Sequence, residues 1–134
     1  MSDIELLQPA GLVRSPAFSH VAVVPPGATT VYVGGQNAVD ETGALVGGDD
    51  AAAQTARVMA NLEVALAAAG LGVEHLVHVH VALVEGVDIG AAYGVAAQSL
   101  ARAPRPPLVS AAIVPALGVR GALVEVSAVA AVMR

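Results

Sequence analysis

The sequence predicts an α/β protein: a mixed, partly parallel sheet with two helices packed on one face. Three observations predict it. Two segments, 51–69 and 88–102, carry apolar residues at helical spacing. β-Branched runs stand before, between and after them. Strands alternating with long helices need crossover connections, which lay the helices against a sheet with parallel neighbours. At 134 residues the chain is expected to form one domain, 1–134.

The elements follow in order. Val21–Val24 and Thr29–Gly34 flank the turn Pro25-Pro26-Gly27, a hairpin signal. Asp40-Glu41-Thr42-Gly43 is a second turn. The first helix is expected over 51–69, capped by Asp49 or Asp50 and closed by Gly70. Val58, Leu62, Ala65, Leu66 and Ala69 make its apolar stripe. Leu76–Val84 reads as a strand with Val77, Val79, Val81 and Leu83 on one face. The second helix runs over 88–102, with Ile89, Ala92, Tyr93, Ala96 and Leu100 on a shared face, and Pro104, Pro106 and Pro107 forbid its continuation. Leu108–Val114 and Ala122–Val132 close the chain as strands.

Composition narrows the function. Hydrophobic residues are 56% of the chain, charged residues 13% and aromatics 2%. That is the opposite of a disordered composition. With no cysteine, disulfides and thiolate zinc sites are excluded. The formal charge is −5 and all six basic residues are arginine, so the clustered positive charge of a nucleic-acid binder is missing. The most apolar stretches, Leu108–Leu117 and Val126–Met133, fall short of the roughly 18 residues a membrane span needs. The N-terminus lacks a basic signal-peptide region. A cytoplasmic protein without nucleic-acid or membrane partners is expected. A domain of this size buries roughly two-thirds of its chain surface, so this much Ala, Val and Leu leaves apolar surface outside. A homo-oligomer is therefore expected.

Glu125 stands out among the candidate site residues. It lies in the apolar run GALVEVSAVA, between Val124 and Val126, and alternates with Leu123 and Ser127. A carboxylate in such a setting is a candidate general acid or base; the plainer reading is an exposed strand-end residue. His75, His78 and His80 read HxxHxH, but no further metal ligands accompany them and no metal is expected. Gly34-Gly35-Gln36 is not a phosphate loop; glycines there let a backbone or ligand approach closely. Ser110 has no Ser–His–Asp order around it.

Four segments together resemble the YjgF/YER057c/UK family, also called the Rid family. SPAFSH is similar to its PYSQ-like element. VYVGGQNAVDETGALVGG resembles its strand-turn-strand segment with SGQ and D-x-x-G-x-L-V-G. Gln54, Thr55, Asn61, Leu62, Leu66, Ala69 and Gly70 match its Q-T…N-L…L…A-G helix, and GALVEVSAVA resembles its C-terminal strand with a Glu. The resemblance implies a chorismate-mutase-like fold and a homotrimer with ligand clefts between subunits. It implies no cofactor.

In the family's imine deaminases an Arg grips the substrate carboxylate, while Tyr, Gly, Asn and Glu line the cleft and hold the attacking water. Here Glu125 matches the Glu and Gly35 the Gly. Phe18 stands at the Tyr and Tyr93 near the Asn. Val109, followed by Ser110, stands where the Arg belongs, as in an Arg-lacking branch. Arg105 lies four residues upstream and reaches the cleft only if its loop folds back. Val cannot replace an Arg–carboxylate fork. The resemblance therefore implies Glu-assisted hydrolysis or tautomer chemistry on an imine, enamine or related carbonyl metabolite, but not efficient 2-imino acid deamination. The expected ligand is neutral or weakly polar, held by Phe18, Gly35, Tyr93, Val109 and Ser110 with Glu125 as the acid–base group. A non-catalytic small-molecule binding protein is the alternative. The ribonuclease or translation-inhibitor activity of some relatives suits this acidic chain least.

Overall fold

The computed structural model describes residues 3–134. The element order is β1 (Glu5–Leu7), β2 (Val21–Val23), β3 (Ala28–Gln36), α1 (Ala51–Ala68), β4 (Leu76–Val84), α2 (Ile89–Leu100), β5 (Leu108–Val114) and β6 (Val124–Met133). One turn of 3-10 helix, Val73–His75, leads into β4. The main sheet has the order β3-β6-β4-β5. β6 runs antiparallel to both β3 and β4, while β4 and β5 are parallel and joined by α2. This is the mixed sheet the sequence predicts.

The predicted hairpin does not form. β2 turns back to pair with β1, which the sequence reading left unassigned, and the two make a separate small sheet. β3 pairs instead with β6, about a hundred residues away: Tyr32 lies opposite Val129. The turn at Pro25-Pro26-Gly27 is real, but it carries the chain from one sheet to the other. The helix ends move slightly: Asp50 caps α1 by accepting from the Ala53 N–H, and Asp88 caps α2 by accepting from Ala91. Gly70, at φ 75°, closes α1 in the left-handed region.

Both helices cover one face of the main sheet. Val58, Met59, Leu62 and Leu66 of α1 share a core with Val79 and Leu83 of β4 and Val124, Val126 and Ala130 of β6. The polar residues of the α1 motif pin this arrangement. The wholly buried Gln54 donates to the carbonyls of Gly48 and Gly121 and accepts from the Leu123 N–H. Asn61 donates to the carbonyls of Asn37 and Val39. Asp40 gathers the Thr42 hydroxyl and the N–H groups of Thr42 and Ala44, which hold its carboxyl below the usual range. The opposite face of the sheet has no helix over it, and Tyr32 there is 79% exposed. Among the described residues no helix is long and apolar enough to cross a membrane.

Candidate functional site

Strand alternation divides the candidate residues between the two faces of the sheet. Val79, paired with Val109, is buried on the helix side. Val109 therefore points to the helix side, and the next residue, Ser110, to the bare side. On the bare side the Ser110 hydroxyl lies 2.8 Å from Nε2 of His78. Within one chain the side chains of Val109 and Ser110 thus face opposite ways.

Val109 forms part of a cavity of about 270 Å³. Val81 and Val109 contribute from the sheet, Tyr93, Ala97 and Leu100 from α2, and Pro16, Ala17 and Pro106 from loops. Its lining is almost wholly apolar. The Tyr93 ring is more than half exposed, and Ala92 is the one buried residue of α2. Phe18 is not in the lining. Its ring packs edge-on against His20, with centroids 5.4 Å apart, while the preceding Ala17 reaches the cavity.

The loop carrying these residues is firmly tied. The Gln8 amide donates to the carbonyls of Ser15 and Phe18. Buried Ser19 donates its hydroxyl to Pro106 and its N–H to Pro107. A His20 ring nitrogen meets the Val13 carbonyl at 2.6 Å. Arg105 does not fold back to the cavity. Its guanidinium donates to the Ile4 carbonyl and lines a different hollow with Glu74 and His75.

Glu125 and Gly35 form the second group. Val124 and Val126 are buried beneath the helices, which leaves Glu125 half-buried on the bare face opposite Ala82 of β4. The β3–β6 register breaks between Val33 and Gln36, and Gly35 lies in that break. The Glu125 side chain folds over it: a Cβ on Gly35 would lie 1.8 Å from Oε1 and 2.7 Å from Cδ. Only glycine leaves room for that placement.

The two groups are on opposite faces of the same sheet. A carboxylate that can exchange a proton lies on one, and an apolar cavity that can hold a small organic molecule on the other. His78 and His80 share the bare face with Ser127, but among the described residues no three His, Asp or Glu side chains are grouped to hold a metal. Tyr93 of the cavity was expected from the sequence, but its other residues from α2 and the Pro16 loop escaped sequence reasoning. Ala97 and Pro16 carry no chemical signature, and only the α2 crossover brings them to Val109.

The family described as endoribonuclease L-PSP matches residues 13–132. A Rid-family protein of unknown function from Yersinia pestis is 30% identical, with a TM-score of 0.84 over 98% of this chain and 100% of that one. A YjgF/YER057c/UK114 family member from Mycobacterium tuberculosis is 29% identical, with a TM-score of 0.64 over 85% and 86%. RidA from an Antarctic Psychrobacter is 28% identical, with a TM-score of 0.68 over 87% and 94%. No curated protein matches the sequence.

Proposed function

Because the chain belongs to the endoribonuclease L-PSP family, alongside Rid and YjgF proteins, we propose that it is a homotrimer with a composite small-molecule site at each subunit boundary. One subunit supplies Glu125 over Gly35, and its neighbour supplies the cavity of Val109 and Tyr93. The observation that carries this reading is the placement of these two groups on opposite faces of one sheet. Within one chain they cannot act on one ligand.

The surfaces available for assembly support it. The bare face presents small uncharged residues such as Ala82, Ala112, Ser127 and Val129, and it lacks a helix layer. β5 is an apolar edge strand with Val109 37% and Ile113 51% exposed. An edge of this kind needs covering.

The reaction class is hydrolysis or tautomerisation of an imine, an enamine or a related carbonyl compound. In the hydrolytic case, water adds to the C=N carbon. Glu125 takes one water proton and passes it to the nitrogen, giving a carbinolamine. It then takes the carbinolamine O–H proton and passes that to the same nitrogen, so that the C–N bond breaks as the C=O bond forms, leaving a carbonyl product and an amine or ammonia. The part of the ligand lying against Val109 is uncharged, because nothing on that wall pairs with a carboxylate. A 2-imino acid is therefore a poor substrate. Binding without turnover is the second reading, favoured by a cavity whose own walls hold no carboxylate or imidazole. Ribonuclease activity suits the chain least, since it carries six arginines and no lysine and the net charge is −5. The test is a ligand eluted from purified protein and identified by mass spectrometry, then offered to wild type and Glu125→Gln. Turnover by wild type and not by the variant supports the enzyme. Equal binding without product from either supports the binding protein.

A further inference from the structure

The apolar cavity has a neighbour. A second hollow lined by Gln8, Arg14, Ser15, Pro16 and Pro106 adjoins it, and Pro16 and Pro106 belong to both. Arg14 is the one cationic residue in either lining among the described residues. We propose that Arg14 is a specificity-determining residue at the mouth of this cleft, and that the ligand is a small amphipathic anion. Its apolar body lies against Val109, Tyr93 and Leu100, and its anionic group lies at the Pro16–Pro106 rim. This rests on the cavity being the ligand site and adds the charge and polarity of the occupant.

Two observations carry it. The backbone on both sides of Arg14 is fixed. His20 holds the Val13 carbonyl and Gln8 holds the Ser15 carbonyl, so the base of the side chain is presented at one place before any ligand arrives. Its guanidinium is exposed and forms no ion pair among the described residues; the other cleft-side candidate, Arg105, is bound to the Ile4 carbonyl elsewhere. A guanidinium without a partner, beside an apolar slot, selects an oxyanion joined to an apolar body. The charge sits at the rim and not at the Val109 wall. That excludes molecules whose carboxylate adjoins the reacting carbon and admits those whose anionic group is several bonds away.

The experiment is calorimetric titration of the full-length protein with octanoate and with 1-octanol, on wild type, Arg14→Gln and Ala97→Phe. Wild type is expected to bind octanoate about three- to fivefold more tightly than octanol, the scale of an exposed ion pair. Arg14→Gln removes that preference and leaves octanol unchanged. Raising the salt erodes octanoate binding only. Ala97→Phe fills the slot and weakens both probes. Equal affinities in wild type, or a preference that survives Arg14→Gln, overturn the role of Arg14 while leaving the cavity as a ligand site. Failure of both probes to bind, or indifference of both to Ala97→Phe, overturns the cavity reading and this inference with it.

Discussion

The Glu125 carboxylate occupies the space where a side chain at position 35 would begin: Oε1 lies 1.8 Å from where a Gly35 Cβ would be. The glycine therefore sets the position of the acid. The displaced atoms belong to the flexible end of a half-exposed side chain, so Gly35→Ala is expected to swing Glu125 aside at a stability cost of about 1 kcal/mol or less. Thermal unfolding should barely change, while ligand turnover should fall as in Glu125→Gln. A collapse in melting temperature, or unchanged turnover, would show that Gly35 serves the fold and not the acid.

Assembly is expected to depend on the bare sheet face. Val129, opposite Tyr32 and His78, lies near its middle. Val129→Glu would put a longer, charged side chain into the proposed subunit boundary, where removing it from water is strongly unfavourable. Sedimentation should find a trimer for wild type at micromolar concentration and a monomer for the variant. A monomeric wild type contradicts the account.

Val109 is expected to keep the protein from deaminating 2-aminoacrylate-type imines. Val109→Arg should gain about tenfold in affinity for a small carboxylate such as pyruvate, from one charge-assisted contact. Wild-type turnover equal to that of an Arg-containing relative contradicts this.

Gln54 tests the fold separately from the site. Gln54→Leu strands the carbonyls of Gly48 and Gly121 and the N–H of Leu123. A loss of about 2–4 kcal/mol is expected, seen as a fall of roughly 10 °C in the melting temperature. A variant as stable as wild type would show that these three contacts do not hold β6 to α1.

The sequence exposes some of these relationships and conceals others. The helices were readable because capping aspartates, an alanine-rich interior and flanking glycine or prolines all act locally. β4 was readable from the alternation of Val77, Val79, Val81 and Leu83, and β5 from its largely apolar run. The hairpin misreading has the opposite cause: β2 and β3 adjoin in sequence, but their partners β1 and β6 lie elsewhere, and three residues such as Glu5–Leu7 leave no periodic trace. The motif residues Gln54, Asn61 and Asp40 prove to be pins for backbone carbonyls and amides, a role that spacing alone does not reveal. Consecutive strand residues face opposite ways, so period two already separated the side chains of Val109 and Ser110 within one chain. Arg14 was invisible because its position depends on Gln8, His20 and Pro106 meeting around one loop.

The division of the site between two subunits can be measured without knowing the substrate. The chain has no cysteine, so the double variant Glu125→Cys, Tyr93→Cys carries thiols only at the two proposed halves. Treated with a short thiol-specific cross-linker and run under denaturing conditions, it should give covalent dimers and closed trimers, as the proposed composite site requires of Glu125 and the cavity of the next subunit. Either single variant should stay monomeric. A double variant that remains monomeric, or singles that cross-link as well as it does, would contradict the composite site.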